Sequence, residues 1–565
     1  MKRALILSLL PILLLQPANS IEKKDVKPVK NVILMIPDGT SLAAVSIARW
    51  LQWYTDPDKP KLNIDPYICG TVRTHSSNAP IGDSAPTTSC YMTGYPSRTG
   101  YVSTYPPSDP ENDIYPTDPD RAYQPLATVL EAARILHDKA AGLVFTCEFP
   151  HATPADCSAH SYDRNKYEWI APQMVHNKLS VVIGGGTDIL TSDHEAHLKT
   201  SGYSIYKNDI KGMRADTNNK LWALYGKRDM DYDINRNPDE QPSIEEMTQQ
   251  AIARLSQNTN GFFLMVEGSK VDWAAHSNDP IAIATEFLAF DRACGAAIEF
   301  ARKNGETAVI ILPDHGNSGI SLGVEHCKGY DKLTKAQLFA PLSQFKATAE
   351  KIASLLNSNP ATEAINILRN NTGYEPTEAE LKSLHNHKGY KSSPIPEAQR
   401  SINDQNALYS TSSLSGWVSK WMTSKTCIGF TTSGHTGEDV FLAVYHPQQT
   451  LPVGMNTNIE LNAYLCALFG LERNNLDELT SQQFAPHTEV FKNHKYEIIQ
   501  RPDAPPLLVV KGKKKQQLLI TPNTSIVRHT NGKVANPDIA LPSVIIYVDK
   551  NNTFYLPRQL ATHLQ

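Results

Sequence analysis

Short apolar runs recur along the chain at 31–37, 142–147, 180–183, 262–266 and 307–313. They lack the polar alternation of a strand with one wet face. Strands that are apolar throughout belong to parallel sheets covered on both sides. Helical patterns lie between them, among them Leu126–Leu136, Ile244–Leu255 and Ile281–Lys303. The alternation predicts an α/β fold: a doubly wound, mostly parallel central sheet flanked by helices, with its site at the carboxyl ends of the strands.

From about 317 to 427 the alternation lapses. Thr377-Glu-Ala-Glu380 has the form of a capping box opening a short helix, and amphipathic segments precede it near 334–356 and 361–369. This stretch reads as an insertion on one face, a cap or crown. The sheet is expected to resume with Cys427–Phe430 and Val440–Tyr445, and a helix near 458–470 closes it. Beyond 490 two hairpins are expected. One joins Leu507–Val510 to Gln517–Ile520 around a lysine-rich turn, and the other joins Ser543–Tyr547 to Thr553–Leu556. The expected organisation is a leader at 1–20, a main domain at 21–485 carrying the insertion, and a small β-rich module at 490–565.

Lys2 and Arg3, then the mostly apolar Ala4–Gln16, then Ala18-Asn-Ser20 have the layout of a cleaved secretory signal. The apolar part is too short to span a bilayer, and no later stretch reaches that length. Export to a periplasmic or extracellular space is therefore expected. The leader carries two positive charges and no negative ones, so its loss takes the formal net charge from −4 to −6. That mild acidity argues against a nucleic-acid partner. Eight cysteines suit an oxidising compartment, but they allow 105 pairings, and no C-x-x-C suggests a zinc ribbon.

The candidate chemistry sits where the apolar runs end. The first delivers Asp38, the fourth Glu267 and the fifth Asp314-His315. Adjacent carboxylate and imidazole groups at the rim of a buried sheet suit a divalent metal. Asp272 and His276, at i and i+4, share a face if that segment is helical. Alone such a pair is more often a surface ion pair, and His435-Thr-Gly437 alone is more often a turn. Asp83-Ser84-Ala85 precedes a helical run, which puts a hydroxyl at a helix N-terminus able to collect phosphate. The plainer reading makes Asp83 or Ser84 an N-cap.

Seven blocks in order resemble the alkaline phosphatase family over roughly 28–470: Ile36-Pro-Asp38-Gly39, Gly82-Asp-Ser84-Ala85, His151-Ala-Thr153-Pro154, Val266-Glu267-Gly268, Asp272-x-x-x-His276, Pro313-Asp314-His315 and Gly434-His435-Thr-Gly437. Arg164 stands at the spacing of the family's phosphate-clamping arginine. The resemblance implies two zinc ions and one magnesium ion. Asp272, His276 and His435 would hold the first zinc; Asp38, Asp314 and His315, joined by Ser84, the second. Asp38, Thr153 and Glu267 would hold the magnesium. It also implies phosphate monoesters as substrates, a phosphoserine on Ser84 and a homodimer. The chain departs from one version of the pattern at His151, where some members carry Asp, and at Trp273, where some carry Lys or His. Both bear on the third ion, which His151 would turn toward a softer metal than magnesium.

Relatives of that superfamily cleave sulfate esters or phosphodiesters. The sulfatase pattern Cys/Ser-x-Pro-x-Arg is missed, because Ser84-Ala-Pro-Thr-Thr88 ends without Arg. Glu267, Thr153 and Arg164 favour monoesters over diesters. A non-catalytic surface scaffold is the remaining alternative, and it has no need of a complete ligand set.

Overall fold

In a computed structural model the described residues are 26–400, 408–531, 534–535 and 537–564, so the leader expected at 1–20 lies outside them. Eight strands precede the 317–427 segment in the main sheet: β1 (Asn31–Ile36), β2 (Ile68–Arg73), β3 (Ala140–Glu148), β4 (Val181–Gly185), β5 (Ser204–Lys207), β6 (Leu221–Tyr225), β7 (Phe262–Glu267) and β8 (Thr307–Ile311). Strands Asp439–Tyr445 and Gly454–Thr457 complete ten. The order is Gly454–Thr457, β2, Asp439–Tyr445, β8, β1, β7, β3, β4, β6, β5. Only Asp439–Tyr445 runs against its neighbours.

β1 lies between β8 and β7, with Ile36 level with Glu267 and Met35 level with Ile311. Its side chains alternate between two apolar clusters. Val32, Leu34 and Ile36 enter one, and Ile33 and Met35 enter the other. Burial on both faces is why these strands read as unbroken apolar runs.

The described part of the 317–427 segment carries helices Lys335–Ser343, Ala349–Ser358, Ala364–Thr372, Glu378–Asn386 and Leu414–Thr423. The expected capping box is present: Thr377 N–H donates to Glu380 and Glu380 N–H to the Thr377 hydroxyl. Trp417, Trp421 and Ile352 join a third apolar cluster with Ile47 and Leu51 of helix Leu42–Thr55. A disulfide between Cys327 and Cys427 closes a 100-residue span over the same segment. The other six cysteines form no disulfide among the described residues, so the even count reflects one bridge.

One expectation fails here. Cys427–Phe430 does not extend the main sheet. Its Ile428–Gly429 pairs with Ser321–Leu322 in a two-stranded sheet of its own, held beside the disulfide. Both expected C-terminal hairpins form, with Leu508 opposite Ile520 and Tyr547 opposite Phe554. They share an apolar cluster that includes Phe491, Leu508, Ile520 and Phe554. No helix among the described residues is long and apolar enough to cross a membrane.

Candidate active site

Three adjacent strands deliver the central carboxylates. β1 ends at Ile36 and turns through Pro37 to Asp38, β7 ends in Glu267, and β8 leads to Asp314-His315. All four side chains are fully buried. Gly39 turns the chain at φ +59°, and a Cβ there would lie 2.2 Å from an Asp272 oxygen, so only glycine fits. Its N–H donates to Asp314 Oδ1 at 3.0 Å.

Asp38, Asp314 and His315 converge: His315 Nε2 lies 3.3 Å from Asp38 Oδ1 and 3.7 Å from Asp314 Oδ2. The other ring nitrogen is 3.0 Å from the Gly316 carbonyl. A carbonyl only accepts, so Nδ1 carries a proton and Nε2 is the ring atom turned toward the carboxylates. Ser84 Oγ is 3.3 Å from that Nε2 and 3.5 Å from Asp38 Oδ1.

A second group holds Asp272, His276 and His435. Helix Lys270–His276 sets Asp272 and His276 on one face, with His276 Nε2 3.4 Å from Asp272 Oδ2. His276 Nδ1 donates to the Ser433 carbonyl at 2.7 Å, and Asn317 Nδ2 donates to Asp272 Oδ1 at 2.7 Å. His435 reaches the group through a two-residue ladder opposite Asn317. This group is more open than the first, since the His276 side chain is 39% exposed.

Thr153 lies in the short helix Ala152–Asp156 that follows β3. Asp38 Oδ2, Asp314 Oδ2, Glu267 Oε1 and Thr153 Oγ1 are buried without a hydrogen-bond partner. Orphaned acceptors of this kind are costly unless a cation satisfies them. Burial, then the neighbouring acids, pushes Asp38 well above the ordinary carboxylate range. Burial followed by Asp314 raises Glu267 to about 8. Asp314 is also raised by burial, although His315 pulls it back. Burial acts the same way on Asp272, yet His315, His276 and His435 hold it below its usual value. The donors and their electrostatics therefore fit divalent cations.

A pH dependence follows. An acid whose folded pKa is raised stabilises the fold while protonated, and that contribution is lost as pH climbs from its unfolded pKa through its folded one. For Glu267 the window runs from 4.5 to about 8. Chelator-treated protein should lose thermal stability across that window, and divalent ions should restore most at its alkaline end. Melting scans with and without chelator check this. A metal-dependent gain that shrinks with rising pH contradicts it.

Ser84 begins helix Ser84–Thr93, with Asp83 at the N-cap position. The Asp83 side chain makes no cap bond; it accepts instead from Arg164 Nη1. The plain N-cap reading therefore fails for Asp83, and the helix start keeps free N–H groups beside the serine. The Asp83 carboxylate and, farther off, that of Asp38 keep the Arg164 guanidinium protonated despite burial. Its Nη2 donates to His151 Nε2 at 3.1 Å. Burial, then Arg164, lowers the His151 pKa to about 4, so this ring is neutral. Trp273 packs edge-on to His151 at 5.9 Å between centroids, and Lys270 Nζ lies 4.6 Å from the Trp273 ring. Asp229 engages that ammonium.

Sequence reasoning missed the roles of three residues. Asn317 orients Asp272 and Asp83 anchors Arg164, both across long sequence separations. Cys147 lies with its Sγ 3.5 Å from Glu267 Oε2. A lone residue in a strand carries no spacing signal. A surface cavity of about 910 Å³, lined by residues that include Asn63, Glu245 and Arg292, contains none of the candidate residues; ligand geometry, not concavity, singles out the centre.

The sequence profile of the family described as alkaline phosphatase matches residues 29–471. The chain belongs to the alkaline phosphatase family. It is 30% identical over 477 residues to alkaline phosphatase 3 of Bacillus subtilis (strain 168), a match covering 81% of this chain and 93% of that one. Among solved structures, a cold-active alkaline phosphatase from the psychrophile Shewanella sp. superposes with a TM-score of 0.65 at 23% identity, covering 78% of this chain and 99% of that one. The Thermus thermophilus alkaline phosphatase gives 0.64 at 22% identity, covering 84% and 99%. At that identity the two structures speak to the alkaline phosphatase-like fold.

The C-terminal hairpins fall beyond the family match, yet one of them braces the Arg164 loop. Asp549, in the turn of the last hairpin, accepts from the Tyr162 hydroxyl at 2.6 Å and from Lys166 Nζ at 3.3 Å. These two residues flank Arg164. The Asp549 side chain is 44% exposed, so the brace is worth about 1 kcal/mol at most. Asp549→Ala is expected to raise KM for a phosphate monoester roughly fivefold without changing metal content. Steady-state kinetics with metal analysis measures both, and an unchanged KM removes the brace.

Proposed function

We propose that this phosphoric monoester hydrolase is exported and works through a phosphoserine on Ser84, with two zinc ions and a third divalent ion. The observation that carries the reading is the convergence of Ser84 Oγ on Asp38 and His315, beside the Arg164 fork. Asp272, His276 and His435 would hold one zinc, and Asp38, Asp314 and His315 the other. Glu267 would be a donor to the third ion. Nitrogen and carboxylate donors suit zinc. When bound, these ions neutralise charge on the phosphoryl oxygens and lower the pKa of the serine hydroxyl.

The residues do the rest. Arg164 exchanges its present partners for two phosphate oxygens, which its planar fork matches. The N–H groups at the start of helix Ser84–Thr93 face the same anion. Ser84 Oγ attacks phosphorus as the bond to the leaving alcohol breaks and that oxygen takes up a proton. Water then attacks the phosphoserine, releasing inorganic phosphate and restoring the hydroxyl. Two in-line displacements give net retention at phosphorus. Asn317, the Ser433 carbonyl and the Gly316 carbonyl keep Asp272, His276 and His315 in their working orientations.

The test is product inhibition. Inorganic phosphate should compete with a monoester substrate, and Arg164→Ala should weaken that competition and kcat/KM by about 3 kcal/mol, roughly 150-fold. Unchanged kinetics in a folded Arg164→Ala protein removes the clamp.

A further inference from the structure

Cys147 stands one residue before the end of β3, fully buried, with its sulfur 3.5 Å from Glu267 Oε2 on the neighbouring strand. His151 follows four residues later. One donor atom each from Cys147, His151 and Glu267 fall within 4.8 Å of one another. Two buried polar atoms at this spot, Glu267 Oε1 and His151 Nδ1, have no hydrogen-bond partner. In a tetrahedral zinc site, sulfur at about 2.3 Å and oxygen at about 2.1 Å stand roughly 3.6 Å apart. The observed sulfur–oxygen separation is already that of two ligands on one ion.

We infer that the third ion of this centre is held by Cys147, His151 and Glu267 and is a zinc-class ion. The inference rests on reading the centre as that of a metal-dependent phosphatase. A thiolate, an imidazole and a carboxylate form a mixed soft set that selects zinc or cobalt over magnesium, which asks for oxygen ligands. Asp38, Thr153 and Glu267 would have made the magnesium set. On binding, Cys147 gives its thiol proton to solvent and the sulfur enters as thiolate.

The same step bears on the phosphate clamp. His151 Nε2 now accepts from Arg164, and a guanidinium only donates. Ligation through Nε2 takes that lone pair. Ligation through Nδ1 moves the ring proton onto Nε2. Either way Arg164 loses His151 as an acceptor, and one arm of its fork is released for phosphate. An occupied third site and a free clamp thus go together.

The experiment uses the full chain, stripped with chelator and reloaded with cobalt(II) or zinc. The cobalt-loaded wild type should show a near-ultraviolet sulfur-to-cobalt charge-transfer band, and the zinc-loaded protein three zinc ions per chain. Cys147→Ser should lose the band, keep the visible bands of the two remaining sites and hold two zinc ions. The surviving visible bands and an unchanged near-ultraviolet circular dichroism spectrum establish that the variant is folded. Cys157→Ser, at the next thiol along the chain, should keep the charge-transfer band. A wild type without the band, or a band that persists in Cys147→Ser, overturns the site. Monoester hydrolysis by a wild type lacking the band would overturn the thiolate ligand and leave the phosphatase reading standing. A band in a protein that cleaves no monoester would support the ligand set and overturn that reading.

Discussion

Exchange of Ser84 for Ala is expected to lower kcat for a phosphate monoester by about 10,000-fold, with metal content unchanged. The hydroxyl is a nucleophile placed at the junction of Asp38, His315 and the start of helix Ser84–Thr93. Without it the remaining groups still bind and polarise phosphate, but no side chain there can form the ester. Metal content is retained because both three-residue groups, Asp272–His276–His435 and Asp38–Asp314–His315, are intact in the variant. Acid quenching during turnover, digestion and mass spectrometry should find phosphate on the Ser84 peptide of the wild type. A variant within tenfold of wild type, or turnover with no phosphopeptide, contradicts the covalent route.

Asp38→Ala should cost about 1,000-fold in activity and should strip metal as well. Asp38 extends from the central strand of the site, between the strands that deliver Glu267 and Asp314. Its loss removes a donor from the most buried group. The stability effect separates a ligand from a merely structural acid. In chelated protein, the Asp38 carboxylate is a buried acid opposed by Asp314, Asp272 and Glu267, so its removal should raise the melting temperature of the apo form. In metal-loaded protein the same change should lower it, because bound ions stabilise only the folded chain. Destabilisation of both forms alike would make Asp38 a packing residue.

The parts of this centre that were legible in the sequence are those that lie next to a strand end or on one helical turn. β1, β7 and β8 are apolar on both faces; Glu267 ends β7, and Asp38, Asp314 and His315 follow their strands within four residues. Asp272 and His276 were spaced for one helix face and occupy it. β2 was not legible because most of its side chains remain partly exposed. β6 is only five residues, and a short apolar run does not distinguish a strand from a buried helix. Cys427–Phe430 misled for the opposite reason. Its residues are apolar enough for a core strand, but a disulfide and a two-residue ladder hold it elsewhere. Contacts such as Asp83 with Arg164, Asn317 with Asp272 and Cys147 with Glu267 join distant segments, so no local pattern announces them.

Hydrolysis of an aryl phosphate monoester at alkaline pH, by protein stripped with chelator and then reloaded with zinc and magnesium, tests the central claim most directly. The stripped protein should be inactive and the reloaded protein active, with the corresponding aryl phosphodiester cleaved orders of magnitude more slowly. No monoester turnover in fully metallated protein, or faster turnover of the diester, would contradict the assignment of this centre to phosphate monoesters.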